Sequence, residues 1–348
     1  MEMENQTNNN MIIQPEPVNP CAQMPAPPET EGMWIQYLIN TVFIPIVCVP
    51  GVFAASVCVI VFTRPKMRSS LNIYLAGLSL FDLLLLVMSL LIYPPMSICM
   101  RTQGDFICNF FWRTALVTFP ISLVCQTASV WTCVAITVDR YLAIQYPLKT
   151  RVLCTPFKAL AVLLIIGAIS LLYKMPSAFE LKLDDCGRVV QTELRLNEIY
   201  IMVYNTYGYV LFLIVIPWTI MIILNLTVVR AVHNAYRKRQ SLVEGNHKVD
   251  DKERRVTIMA LVMLSTFIVF NLLAGLNNVI EAFAVYSGYK EFRIPLGNLL
   301  VCVNSASNIL IYSIFGRKFP THLHETLVPL PKQAGLSLAG TDWRSQSK

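Results

Sequence analysis

The chain of 348 residues contains seven apolar segments, each long enough to cross a lipid bilayer: roughly Trp34–Phe62, Leu71–Ile98, Phe110–Val138, Phe157–Tyr173, Ile199–Val229, Val256–Ala284 and Ile294–Phe315. About 20 apolar residues span the hydrocarbon core as a helix. Backbone polar groups in lipid must be satisfied within the element, which selects helices for such segments. Hydrophobic residues make up 55% of the chain and charged residues 14%, too apolar and too sparsely charged for a soluble domain of this length. The expected fold class is an all-α membrane protein, a bundle of seven transmembrane helices whose odd number puts the two termini on opposite sides.

Loop charge sets the orientation. Residues 1–33 hold five glutamates and no Lys or Arg, whereas Arg64, Lys66 and Arg68 fill the first loop and Arg230–Arg255 is richly basic. By the positive-inside rule the N-terminus is outside and the C-terminus cytoplasmic. The net charge of +7 then reads as topology and attraction to inner-leaflet lipids; no nucleic-acid module points elsewhere. Three regions are expected: an extracellular disordered tail at 1–33, the seven-helix domain at 34–319 and a cytoplasmic tail at 320–348.

Residues 1–33 lack the basic flank and apolar core of a cleavable signal peptide, so the first segment is expected to act as a signal anchor. Asn5-Gln6-Thr7 is a glycosylation sequon on the outer side; Asn225-Leu226-Thr227 lies within a membrane segment and should be inert. Cys48, Cys58, Cys125, Cys133 and Cys302 read as small buried hydrophobes. Cys21, Cys99, Cys108 and Cys186 lie outside or near the outer face, where disulfides form. No Cys/His set has metal-site spacing, and no phosphate-binding glycine loop, HExxH or GxSxG is present. No enzyme chemistry is indicated. The absence of matched interrupted helices weighs against an inverted-repeat transporter.

Asp139-Arg140-Tyr141 closes the third apolar segment. Charge in hydrocarbon is costly, and ionisable groups at membrane depth usually mark function. Set beside Asp82 in the second segment and Asn308-Ile309-Leu310-Ile311-Tyr312 in the seventh, this triplet makes roughly residues 40–319 resemble rhodopsin-like G-protein-coupled receptors. Arg64–Ser70, Pro176–Glu180, Glu253-Arg254-Arg255 and Asn304-Ser305 are similar to the invertebrate FMRFamide-type neuropeptide receptors. The chain departs from the wider class at Ala54-Ala55, at Phe270-Asn271-Leu272-Leu273 and at Asn308-Ile309, where a Gly-Asn pair, a Cys-Trp-x-Pro and an Asn-Pro are usual. The fourth segment also lacks the usual Trp.

The resemblance implies several roles. Asp139, Arg140 and Tyr141, with Pro147 and Leu148 of the second inner loop, Asn308 and Tyr312, would serve activation and G-protein coupling, and Glu253 would hold Arg140 at rest. The competing reading makes Glu253 a helix N-terminal charge favoured by the macrodipole. Asp82, Ser129, Asn304, Ser305 and Asn308 match a sodium site, with sodium as allosteric modulator and no other cofactor; otherwise Asp82 is a protonated core residue. The wider family's third-helix cysteine would fall at Ala115, so the resemblance transfers its disulfide to Cys108–Cys186, with Cys99 as rival partner. Ser122 stands where amine receptors place an Asp, and residues 294–315 contain no Lys for a retinal Schiff base, which argues against both ligand types.

The expected ligand-binding set is Ser122, Gln126, Glu180, Tyr204, Asn277 and Glu281, with Glu281 facing a cationic ligand group. The leading expectation is a plasma-membrane receptor for a short amidated peptide, coupled to a heterotrimeric G protein and in turn to arrestin. A receptor for a small lipid-like or pheromone ligand, and a transporter or channel, remain as alternatives.

Overall fold

A computed structural model describes residues 31–102, 104–240, 247–282 and 290–315, with Phe319 and Leu323. Seven helices are long and apolar enough to cross a membrane: α1 (Gly32–Phe62), α2 (Ser70–Thr102), α3 (Phe106–Gln145), α4 (Pro156–Phe179), α5 (Glu198–Ala231), α6 (Leu261–Ile280) and α7 (Glu291–Phe315). Each apolar segment of the sequence becomes one crossing. The α6 span belongs to a longer helix, His247–Ala282, which includes Lys248, Lys252, Arg254 and Arg255 ahead of the span. Residue 5, and nearly all of both tails, lie outside the described residues.

α3 is the axis of the bundle, packed against α2, α4, α5 and α6, while α7 closes the ring against α1, α2 and α6. The α2–α4 contact depends on Gly77, where an added Cβ would sit 2.7 Å from the Leu163 side chain. Helices in lipid gain little from hydrophobic attraction and associate through such close packing. The core runs through Leu75, Leu78, Ile136, Met221, Leu264 and Tyr312, all nearly fully buried. Where the fourth segment lacks its usual Trp, Trp131 of α3 packs at a tilt against Phe212 of α5 at 4.9 Å, and Phe212 in turn meets Tyr173 of α4 at 4.5 Å. α4 turns Leu164, Ile165, Leu171 and Leu172 outward, the face for lipid.

Proline leaves a mark on the helices. Pro50, Pro94, Pro95, Pro120 and Pro295 sit inside continuous helices, as membrane bundles tolerate. Ahead of Pro217, however, α5 widens into π-turns over Ile201–Gly208 and Val210–Val215; the missing proline N–H frees the Leu213 carbonyl, within the second of them.

The second outer loop folds into a hairpin that apolar periodicity did not reveal. β1 (Leu181–Leu183) pairs antiparallel with β2 (Val189–Gln191), Leu181 opposite Gln191. Its turn is organised by Asp184, whose Oδ1 accepts from the backbone N–H groups of Arg188 at 2.7 Å and Cys186 at 3.0 Å. Gly187 supplies the positive φ of 73° that an L side chain rarely adopts.

The Cys108–Cys186 pairing is corrected. Cys108 is bonded to Cys99, nine residues away, with Cα atoms 4.8 Å apart. Cys99 lies near the end of α2 and Cys108 in the first turns of α3, so the packing of these two helices brings the thiols within bonding reach. Cys186 is disulfide-bonded as well, but not to Cys108.

Candidate functional site

Three polar features lie along the bundle. The outermost is a cavity of about 240 Å³ lined by side chains of α2, α3, α5, α6 and α7, among them Tyr93, Ser122, Gln126, Tyr209, Asn277 and Asn298. Asn277 is fixed from two sides: its Nδ2 donates to the Arg293 carbonyl at 3.0 Å, and its Oδ1 accepts from Arg293 Nη1 at 2.7 Å. Gly297, one helical turn beyond Arg293, makes this approach possible, because a Cβ there would fall 2.7 Å from Asn277 Nδ2.

The expected ligand set divides. Ser122, Gln126 and Asn277 line this cavity. Glu180 does not: it accepts from Tyr200 at 2.8 Å and from Arg195 at 3.0 Å, bracing the outer hairpin against the start of α5. Tyr204 likewise donates to the Tyr173 carbonyl at 2.6 Å, and it is Tyr209 that lines the cavity. Glu281 is on the α6 helix, but its side chain lies outside the described residues. Arg293 and Asn298 were not anticipated. The one available signal was an Arg at the outer head of an apolar segment, an exception to the positive-inside bias.

The second feature is Asp82, only 1% exposed. Its Oδ1 accepts from Ser129 Oγ of α3 at 3.2 Å and Ser305 Oγ of α7 at 2.9 Å, and its Oδ2 from Asn308 Nδ2 of α7 at 2.7 Å. One α2 carboxylate thus ties three helices. Asn304 is buried nearby in sequence, but it is not among the donors to Asp82. A carboxylate with adjacent hydroxyl oxygens is a set of hard ligands of the kind that binds hard cations, so these residues fit a sodium ion.

The third feature is at the inner end. Arg140 pairs with its neighbour Asp139, Nε to Oδ2 at 3.2 Å, leaving the Arg side chain 19% exposed and the Asp 4%. Glu253 sits on the helix leading into α6, with its side chain outside the described residues. Tyr312 is fully buried, its hydroxyl 3.6 Å from Met263 Sδ of α6 and its ring edge-on to Phe62 at 5.0 Å. Beyond Arg140, a short helix at Pro147–Leu153 is folded back on α3 by Thr150 Oγ1 donating to the Leu142 carbonyl at 2.8 Å. Leu148 is left 84% exposed.

Residues 54–312 match the seven-transmembrane receptor (rhodopsin family) profile. The chain belongs to that family, a class of receptors rather than enzymes, and is a multi-pass membrane protein. Among individual relatives, it is 33% identical over 304 residues to the FMRFamide receptor of Drosophila melanogaster, covering 84% of this chain and 54% of that protein. It is 30% identical over 287 residues to an FMRFamide peptide receptor of Caenorhabditis elegans, frpr-18, covering 79% and 66%. The chain therefore matches between half and two thirds of the length of these relatives.

Proposed function

We propose that this chain is a plasma-membrane receptor for a short amidated, FMRFamide-like neuropeptide and that it activates a heterotrimeric G protein. The carrying observation is the identity of 30% or more to two FMRFamide receptors over about four fifths of the chain. A cavity lined by five of the helices, with polar groups set in a largely apolar wall, gives the peptide's end a place to enter. Glu281, on the same helix as Asn277, is the acidic group that would pair with a ligand Arg. At the other end, Arg140 and the exposed Leu148 with Pro147 offer a cation and an apolar knob for the G protein. Arrestin would be a further partner at that end.

Asp82, Ser129 and Ser305 would hold a sodium ion. Bound there, it would offset the charge of a carboxylate that lies out of reach of water. Closure of the outer cavity around a ligand and opening of the inner end would belong to the same arrangement of the helices, so that a ligand favouring the first shifts the population toward the second.

The test is ligand-dependent guanine-nucleotide exchange on membranes carrying the receptor. Phe-Met-Arg-Phe-amide is expected to stimulate exchange, and Glu281→Gln to weaken its binding by roughly 1.5–3 kcal/mol, the range for a hydrogen bond to a charged group. The same substitution should leave a peptide with the Arg neutralised unaffected. Stimulation by lipid extract but by no peptide in a library would overturn the peptide reading. Ligand-gated flux without exchange would overturn the receptor reading.

A further inference from the structure

Arg293 occupies the outer start of α7 beside the cavity, between Asn277, which it holds, and Ile294, which like Asn277 lines the cavity wall. One corner of its guanidinium is fixed by the 2.7 Å bond from Nη1 to Asn277 Oδ1, and its backbone carbonyl is held by Asn277 Nδ2. The remaining nitrogens, Nε and Nη2, are buried without a hydrogen-bond partner among the described residues. Their N–H groups point the same way along one edge of the guanidinium plane, the fork that matches the two oxygens of a carboxylate.

Orphaned charged donors in a buried setting are unfavourable. They persist when the missing partner arrives later. Arg293 itself does not line the cavity, but its partner Asn277 and its neighbour Ile294 do, so a ligand seated against them is the group that can reach it.

We propose that Arg293 anchors a carboxylate of the bound peptide; the proposal rests on the peptide reading above and narrows it to peptides that carry an acidic group besides the amidated core. A neutral amide fits less well, because its single oxygen must serve both donors and its NH₂ adds donors to a site already rich in them. The carboxylate has two possible sources, an acidic side chain or a free C-terminus, and both would meet the same fork. Lys would keep the charge but lose the two-point match.

Competition binding with four synthetic probes separates the cases: Phe-Met-Arg-Phe-amide, the same amide extended at its N-terminus by Asp, the same extended by Asn, and the free acid Phe-Met-Arg-Phe. Each is measured on wild type, Arg293→Gln and Arg293→Lys at matched surface expression. The Asp-extended amide is expected to bind roughly ten- to a hundredfold more tightly than the Asn-extended one, as for a charge-assisted pair. Arg293→Gln should erase that preference, any loss from freeing Asn277 falling equally on the Asp- and Asn-extended peptides, with Arg293→Lys retaining part of it. If the free acid alone gains affinity through Arg293, the anchor stands and the amidated-ligand reading falls. Equal binding of Asp- and Asn-extended peptides with no gain for the acid, or an equal loss on every probe in Arg293→Gln, overturns the anchor while leaving the peptide reading intact. If no probe binds wild type, both fall.

Discussion

Asp82 and Arg293 are charged side chains set into the same bundle, and they differ in how completely their hydrogen-bonding capacity is used. Asp82, in the middle, receives three donors from two neighbouring helices. Arg293, near the outer end, is tied at one nitrogen and leaves two buried nitrogens without a partner among the described residues. The difference separates a charge that holds helices together from one that awaits a partner. Burial alone does not make the distinction; the count of unmet donors does.

The comparison can be broken most forcefully at Asp82. Asp82→Ala would strand the donors of Ser129, Ser305 and Asn308, at about 1–3 kcal/mol for each that finds no other acceptor. The expected net loss is roughly 3 kcal/mol, read as a lower midpoint of thermal unfolding in detergent. Asp82→Asn, which still accepts on one oxygen, should lose less. An unchanged midpoint in Asp82→Ala would mean that the cluster does not hold α2 to α3 and α7.

A second charged group tests whether a pair can be satisfied and still act as a switch. Arg140 is neutralised by Asp139 next to it, so any restraint from Glu253 is additional. If that restraint exists, Glu253→Ala should move the resting equilibrium by about 1–2 kcal/mol, a five- to thirtyfold rise in basal nucleotide exchange while the active state stays minor. Arg140→Ala should abolish exchange and leave ligand binding in place. Unchanged basal exchange in Glu253→Ala, at equal surface expression, would leave Glu253 as a helix-terminal charge only.

A smaller effect is expected at Asp184, a carboxylate also satisfied by several donors, but in solvent. The Arg188 backbone N–H, foremost, holds this carboxyl below the ordinary carboxylate range. Because the folded group titrates lower than the unfolded one, its contribution to the hairpin is fully present above the unfolded value of about 4 and disappears as pH falls through the folded value. The protection of the Val189–Gln191 amides, measured as exchange relative to the intrinsic rate at each pH, should fall on acidification in wild type, and Asp184→Asn should flatten that dependence. The smallest change is expected from Arg293→Ala without ligand. Removing unmet donors should alter stability by no more than about 1 kcal/mol, the lost bond to Asn277 being set against relief of the orphans. A loss as large as that of Asp82→Ala would erase the distinction between the two sites.

Much of this architecture was readable from the chain. Seven runs of sufficient apolar length leave little choice but seven helices, and Asp82, Ser129, Ser305 and Asn308, picked out through the family resemblance, converge as hydrogen-bonded neighbours. The rest depended on relations that sequence spacing does not carry. Cys108 and Cys99 were rivals for Cys186, and that they bond to each other instead reflects how α2 and α3 meet. Glu180 was a loop charge with no visible partner until the hairpin brought it to Arg195 and Tyr200. Arg293 became informative only through Asn277, sixteen residues away, and through Gly297, whose missing side chain lets α6 and α7 touch. Such contacts are set by helix rotation and close approach, which hydrophobic periodicity leaves free.

The π-turns of α5 have a further consequence for reading this receptor against its relatives. Each widened turn takes in about one more residue than an α-turn, and one residue is about 100° of rotation at 3.6 residues per turn. Upstream of Pro217 the helical phase of α5 therefore slips relative to a straight rod. Tyr204 hydrogen-bonds to α4 while Tyr209 takes the place on the cavity wall. A ligand map carried over along α5 by counting residues alone would name the wrong tyrosine.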